Sequence, residues 1–341
     1  MNGRWTRAAL LVAAAALLAA APLAPQWLVF LLTLALAKGL LVLGLLLLMR
    51  TGLVSFGQGL FFGLGAYGAA LLSARAGISD AIAMIAVSIV TAAAVAALLG
   101  LLVARYREIF FAMLSLAFSM ILYGVLVKSS ALGSTDGFNL HAATYAGIAI
   151  DAAAGRRVIF GIAIVAFVGA AWAVNRLLES HFGLLCTAIR DNELRVEYLG
   201  ASVFRVVYLN YVIAGALGGL GGALAALAVG HVDPETTYWT TSGEFVFIAI
   251  LAGTGNVIAP FVAAGVFEVV RTFANQYAPN VWQMTLGIVM LLLIMFLPRG
   301  LAGLAAARAP AAGAADDGAA RSGPAARDDA GLRPAPKGAP R

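Results

Sequence analysis

Long apolar runs, each about as long as a membrane-spanning helix, follow one another along most of this chain. They read as helical segments at about 8–24, 27–49, 53–74, 81–104, 109–127, 158–178, 206–230, 244–273 and 281–297. A helix rising about 1.5 Å per residue needs about 20 mostly apolar residues to cross roughly 30 Å of hydrocarbon. Helices are the required form, because lipid offers no hydrogen-bond partner to an open strand edge. No alternating barrel-strand pattern is visible. The fold class is therefore all-α: a polytopic transmembrane helix bundle.

Cations set the orientation, since Lys and Arg concentrate in cytoplasmic loops. Arg4 and Arg7 start inside. Arg50, Arg105, Arg107 and the segment 179–205 with Arg190, Arg195 and Arg205 also fall inside. The loop 128–157 falls outside despite its three cations. A single crossing by 244–273 would then leave Arg299 and the tail outside. Within that segment Ala252-Gly253-Thr254-Gly255-Asn256, with Pro260 just beyond, weakens the helix. A re-entrant half-helix turning at these glycines restores the parity, and broken backbone at membrane depth belongs where it lines water or is buried in protein. The competing reading is a kinked single span. The first segment has two readings as well. Arg4, Arg7 and Ala19-Ala20-Ala21 fit a cleaved signal peptide, whereas the long apolar segment that follows at once favours an uncleaved span.

Composition narrows the class. The 341 residues are 62% hydrophobic and 11% charged, with a formal net charge of +6. The cations sit at span ends, and no basic patch with interleaved aromatics points to nucleic acid. Cys186 is the one cysteine, which excludes an intramolecular disulfide. His141, His181 and His231 stand far apart and show no metal-ligand spacing, so no metal and no cofactor are expected. No phosphate-binding loop, zinc-protease motif or nucleophile elbow is present. Any nucleotide energy must come from another subunit. Residues 305–341, rich in Ala, Pro, Gly, Arg and Asp, read as a disordered cytoplasmic tail behind a transmembrane domain at 1–304.

The inner loop 179–205 carries the sharpest polar pattern. Arg190, Glu193 and Glu197 lie at helical spacings, Asp191 and Asn192 adjoin them, and Gly183 and Gly200 bound the stretch. It predicts one short charged helix on the cytoplasmic face, either a solvated loop or a coupling helix docking into a partner. Gly59 and Gly63, Gly215 and Gly219, and Gly218 and Gly222 have the four-residue spacing that brings membrane helices close. Lys38, Glu244, Glu268 and Arg271 are ionisable groups within apolar segments. Apart from Glu244 they read as interfacial side chains that snorkel to water, with Arg271 placed to pair with Glu268 three residues away. Gln58, Tyr67, Ser115, Thr135, Asp136, Thr254 and Asn256 flank the glycine-rich breaks. They are candidates to line a translocation pathway, the alternative being helix–helix hydrogen bonding.

Several of these stretches together resemble the branched-chain amino-acid permease family of ABC importers. The inner loop Ala188–Glu193 with Gly200, then Ala214–Leu224, carries the resemblance first. Gly52–Tyr67 is similar to the family's early glycine-rich motif, and Ala112–Phe118 followed by Ser134–Phe138 to its central one. Leu251–Gly255 with Pro260, and Phe296–Gly300 with Gly303, are similar to its C-terminal motifs. The likeness runs from about residue 30 to 304, and the Thr-Asp-Gly segment points to the second, longer permease type. Leu184, Val196, Val207, Ala252 and Ala259 depart from the family pattern, the first three in the coupling region.

The resemblance implies a type II ABC-importer-like bundle in the bacterial inner (plasma) membrane. Its implied partners are a homologous permease subunit, two cytoplasmic ATP-binding subunits and a periplasmic substrate-binding protein; the loop 128–157 is the periplasmic loop. Coupling would pass through Gly183, Arg190, Asp191, Glu193, Glu197 and Gly200, and the chain would not itself be an enzyme. Branched-chain or related small hydrophobic amino acids are the implied substrates, with amides, urea or aromatic acids also served by similar proteins. A self-sufficient secondary carrier or channel is the alternative, which the scarcity of buried carboxylates disfavours. A lipid-modifying membrane enzyme would need a cluster of His, Asp or Arg at a membrane face, and none is evident.

Overall fold

Where an apolar run is uninterrupted, the chain forms one long helix; where glycine, proline or asparagine intervenes, the helix stops. In the computed structural model the described residues are 24–301 apart from 142, 146, 150, 278 and 297–299, with a few positions between 10 and 19. The predicted segment 8–24 lies largely outside the described residues. Arg4, Arg7, Arg299 and the tail 305–341 lie wholly outside them.

The first four helices are α1 (Gln26–Arg50), α2 (Gln58–Ala76), α3 (Ala81–Val103) and α4 (Glu108–Lys128). After an outer loop come α5 (Ala152–Leu178), α6 (His181–Asp191), α7 (Glu193–Tyr198) and α8 (Val203–Val229), then α9 (Trp239–Ala252), α10 (Ala259–Tyr277) and α11 (Trp282–Phe296). Among the described residues six helices are long and apolar enough to cross a membrane: α1 to α4, α5 over Ala154–Leu178, and α8.

Helices α1 and α8 form the centre. From Ala35 to Leu48 every residue of α1 is buried, and α8 packs on α1, α2 and α3. The glycines of α8 make this possible. A Cβ at Gly221 would fall on the Ala37 carbonyl of α1, and one at Gly222 on the Phe62 carbonyl of α2. Removing the side chain lets backbones approach, which stabilises helix pairs where no hydrophobic effect operates between them. Helix α4 lies outside this core, with Ile109, Phe110, Met113 and Ile121 exposed as a lipid-facing surface requires.

Contacts separate two sides of the bundle, named inner and outer after the cation pattern of the sequence. Gly52 lies against Arg190, so the α1–α2 loop and α6 share the inner side. On the outer side Arg156 donates to Gln26 Oε1 at 2.6 Å, and Arg75 to the Ala131 carbonyl. These bonds give two of the outer cations partners there. Two-residue strands β1 (Phe138–Asn139) and β4 (His231–Val232) pair antiparallel across the outer surface. Strands β2 (Thr144–Tyr145) and β3 (Ile148–Ala149) pair locally.

Two segments differ from the sequence expectation, and a third breaks where its glycines predict. The run at 53–74 becomes helical only at Gln58, because Gly52 has φ +81° and Gly57 packs its backbone on Ser115 of α4, where a Cβ would collide. The inner loop forms two helices, not one. Asn192 is extended (φ −162°, ψ 102°), and its side chain accepts from the Arg195 amide at 2.9 Å. An asparagine in that geometry caps the helix it precedes and ends the one before it. The segment 244–273 is two helices separated at 253–258, not a kinked span. Gly253 has φ +71°, and the Asn256 side chain accepts from the Ile258 amide, opening α10.

A further break precedes α9. Residues 233–238 include a 3-10 turn at Pro234–Thr237, and Ser119 of α4 donates to the Thr237 carbonyl at 2.8 Å. The Gly59 amide of α2 donates to Ser242 Oγ at 3.0 Å. Ser119 lies near the middle of α4, so α9 starts inside the bundle. Its 14 residues reach about 21 Å, short of a full crossing. Helix α10 ends on the outer side, α11 leads back inward, and Gly300 then meets Gly253.

Candidate functional site

Lys38 is the thirteenth of the 25 residues of α1, so its charge sits at the centre of a spanning helix. It is only 5% exposed, and Glu268 only 4%. Lys38 Nζ lies 2.5 Å from Glu268 Oε1 on α10 and 3.7 Å from Glu244 Oε2 on α9. Glu244 Oε2 is in turn 3.5 Å from Arg271 Nη1. The Lys38 ammonium stands 5.1 Å from the Phe267 ring centre, and the Arg271 guanidinium 5.5 Å from that of Trp282. Cations over aromatic faces gain further electrostatic support.

This geometry corrects the reading of Lys38 and Glu268 as snorkelling groups. Glu268 and Arg271 do not pair along α10: Glu268 turns to α1 and Arg271 to α9. Two cations and two carboxylates thus sum to zero charge across three helices. Desolvating each ion costs several kcal/mol, which the pairing only partly offsets. Such a network is poor value as mere glue, and it marks a functional place.

The cluster borders a cavity of about 370 Å³ between α1, α2, α8 and α10. Lys38, Glu268 and Arg271 line it together with Asp233 from the broken segment before α9. His231 and Asn275, from the outer ends of the surrounding elements, also line it. Leu34, Phe62 and Val229 supply an apolar wall. Asp233 was not among the residues expected from sequence; its only signal was a carboxylate before Pro234. A larger groove of about 520 Å³ along α1 and α10 is lined by Leu28, Phe261, Val266 and similar residues, with no charged group.

The seven expected pathway residues do not converge on one place. Gln58, Tyr67 and Ser115 are buried inside the bundle. The Gln58 amide and the Tyr67 hydroxyl have no hydrogen-bond partner among the described residues, while Ser115 donates to the Ala112 carbonyl of its own helix at 2.8 Å. Thr135 and Asp136 are exposed in an outer turn. Thr254 and Asn256 lie in the break between α9 and α10, where Asn256 serves as the helix cap. The unpartnered Gln58 amide is the one that most resembles a group awaiting water or substrate, since buried polar groups are normally paired.

On the inner side, α6 and α7 rest on the bundle through Cys186, Ile189 and Val196, all buried. Asn210 of α8 donates to Cys186 Sγ at 3.3 Å, and burial pushes the Cys186 thiol up. Gly183 lies inside α6, where a Cβ would meet the Leu178 backbone, so glycine permits the sharp fold of α6 on α5. Gly200 ends the element at φ +85°. Arg190, Asp191 and Glu197 are exposed. Glu193 is not: its Oε1 accepts from Arg107 Nε at 2.8 Å, joining α7 to the α3–α4 loop. The remaining outward face carries Leu194, Tyr198 and Leu199, exposed by 64%, 88% and 81%. Of the departures from the family pattern, Val196 and Val207 are buried in the core, whereas Leu184 is exposed.

Comparison with known proteins fits this geometry. A family model described as branched-chain amino acid transport system / permease component matches residues 27–295. The chain is 28% identical over 277 residues to the high-affinity branched-chain amino acid transport system permease protein LivM of Salmonella typhimurium, and equally to that of Escherichia coli. Each alignment covers 74% of this chain and 64% of the relative's length. A probable branched-chain amino acid transport permease protein LivM of Methanocaldococcus jannaschii is 28% identical over 142 residues, 37% of this chain and 41% of its own. No solved structure matches. The match from α1 almost to the end of α11, on a bundle with six helices among the described residues long and apolar enough to cross a membrane, makes this a multi-pass membrane protein that belongs to the branched-chain amino acid transport system permease family.

Proposed function

We propose that this chain is the membrane-spanning permease subunit of an ATP-driven importer for branched-chain or related small hydrophobic amino acids, set in a bacterial inner membrane. Two cytoplasmic ATP-binding subunits, a homologous permease subunit and a periplasmic substrate-binding protein are its partners. Hydrolysis belongs to the ATP-binding subunits, and this chain converts their movement into alternating access by rigid-body rocking.

The observation that carries the reading is the α6–α7 element. It lies on the inner side, outside every candidate span, yet presents Leu194, Tyr198 and Leu199 beside Arg190, Asp191 and Glu197. Exposed apolar side chains rimmed by charges mark a protein-docking surface. The element is fastened to α8 by Asn210–Cys186 and to the α3–α4 loop by Glu193–Arg107, so a push on it reaches the bundle. The names of the relatives support the substrate class.

Gentle isolation of the tagged chain from native membranes, followed by mass spectrometry, tests the reading. Two ATP-binding subunits and a second permease are expected in the eluate. A gradient-driven carrier is the second reading, and buried Glu268 with half-buried Glu244 is the observation in its favour. Recovery of the chain alone, with ion-gradient-dependent uptake in liposomes containing only this chain, would establish that alternative.

A further inference from the structure

We infer that the cavity between α1, α2, α8 and α10 is a transit site, within the permease itself, for the zwitterionic head of an α-amino acid. The inference rests on the permease reading above and adds to it a binding site with named groups. Four observations lead there.

The first is that groups of both signs face one cavity: Lys38 and Arg271, with Glu268 and Asp233. Glu244 also engages both cations, at 3.7 Å from Lys38 and 3.5 Å from Arg271. A zwitterion can meet both signs at once, whereas a plain amine or carboxylate leaves one of them unused. The second is unspent bonding capacity. Lys38 Nζ and Glu268 Oε1 meet as an ion pair at 2.5 Å, and among the described residues neither atom has a further hydrogen-bond partner. An ammonium can donate three hydrogen bonds and a carboxylate oxygen can accept two. The third is a mixed lining: beside the charged groups the cavity has Leu34, Phe62 and Val229, which suits a ligand with a charged head and a short apolar side chain. The fourth is size. About 370 Å³ falls at the small end of ligand cavities, which span roughly 300–1,000 Å³.

In this arrangement the carboxylate of the amino acid meets Arg271 and the Lys38 ammonium, and its own ammonium meets Asp233 and Glu268. Asp233 stands on the broken segment 233–238 and Glu268 on α10, so the site spans elements that can shift relative to α1. Binding there would be weak, because Lys38 and Glu268 already engage each other and the ligand must compete with that pair.

The test uses the purified complete transporter without its binding protein. Equilibrium dialysis of radiolabelled leucine is run against the parent complex and against Asp233→Asn and Arg271→Gln. Asparagine at 233 retains an oxygen for the Thr236 amide it caps, so the local fold persists. Saturable leucine binding is expected, with 3-methylbutylamine and 4-methylpentanoate competing far less well than isoleucine. Each variant should weaken binding by roughly tenfold or more, as loss of a charge-assisted hydrogen bond does. Parent-level leucine binding in both variants, or equal competition by the amine and the acid, would overturn the site. Leucine uptake by the full system, binding protein included, is measured beside it. Normal uptake with no saturable binding to the permease refutes the site and leaves the importer reading standing. Absence of any amino-acid uptake by the parent system refutes both.

Discussion

Helix α8 and the α9–α10 pair lie side by side in one bundle and are built on opposite rules. The α8 seam has no charged residue after Arg205, and its glycines press backbone on backbone against α1 and α2. The α9–α10 pair is broken at 233–238 and at 253–258, starts inside the bundle, and carries Glu244, Glu268 and Arg271 toward Lys38. Close packing favours a body that moves as a unit. Charges at broken helices cost stability, and the transit site proposed above accounts for their presence. The contrast separates scaffold from site more clearly than the scattered polar residues do.

Removing one charge should break that contrast most severely. Lys38→Met leaves Glu268 buried against no cation, and a loss of about 3–5 kcal/mol is expected. Thermal unfolding in detergent would read it as a large drop in midpoint, and Lys38→Met with Glu268→Leu should recover most of the loss. A single variant as stable as the parent would mean that the cluster is hydrated and bears no load. In the scaffold, Gly222→Ala places a Cβ on the Phe62 carbonyl and should cost about 1–3 kcal/mol through forced separation of α8 and α2. The same substitution at Gly243, where a Cβ meets nothing, is the control and should change little.

Smaller effects on stability test the inner element. The Arg107–Glu193 pair is partly solvated, so its worth is about 0.2–1 kcal/mol. Its larger consequence is coupling: Glu193→Arg should release ATP hydrolysis from transport, and the exchanged pair Arg107→Glu with Glu193→Arg should restore it. Failure of the exchange to restore coupling would assign Glu193 to direct contact with the ATP-binding subunit. Leu194→Ser with Tyr198→Ser should leave the midpoint within about 0.5 kcal/mol of the parent, as exposed positions do. The same change should strip ATP-binding subunits from the purified complex. Retained subunits at parent stoichiometry would move the docking surface elsewhere.

How far each region was legible in the sequence follows from the range of the interactions that make it. Helices α1, α3, α4, α5 and α8 were readable to within a few residues, except for the start of α5, because a spanning helix is set by an uninterrupted apolar run. The break at Gly253 was readable from local glycines. The split at Asn192 was not, since the same asparagine could have sat on the surface of one helix. Pro234 marked a second break, but Ser119 and Gly59, from distant parts of the chain, hold it inside the bundle through Thr237 and Ser242.

The amino-acid sequence by itself determined a helical membrane protein and its glycine seams, since hydropathy and small-residue spacing act locally and lipid permits few alternatives. Tertiary structure alone decided that Lys38 meets Glu268 and Glu244, that Glu193 is spent on Arg107, and that Asp233 joins the cavity. Residues 38, 233, 244 and 268 come from separate parts of the chain. Whether a charge snorkels to water or is paired in the interior depends on which helices pack beside it, and no local pattern records that.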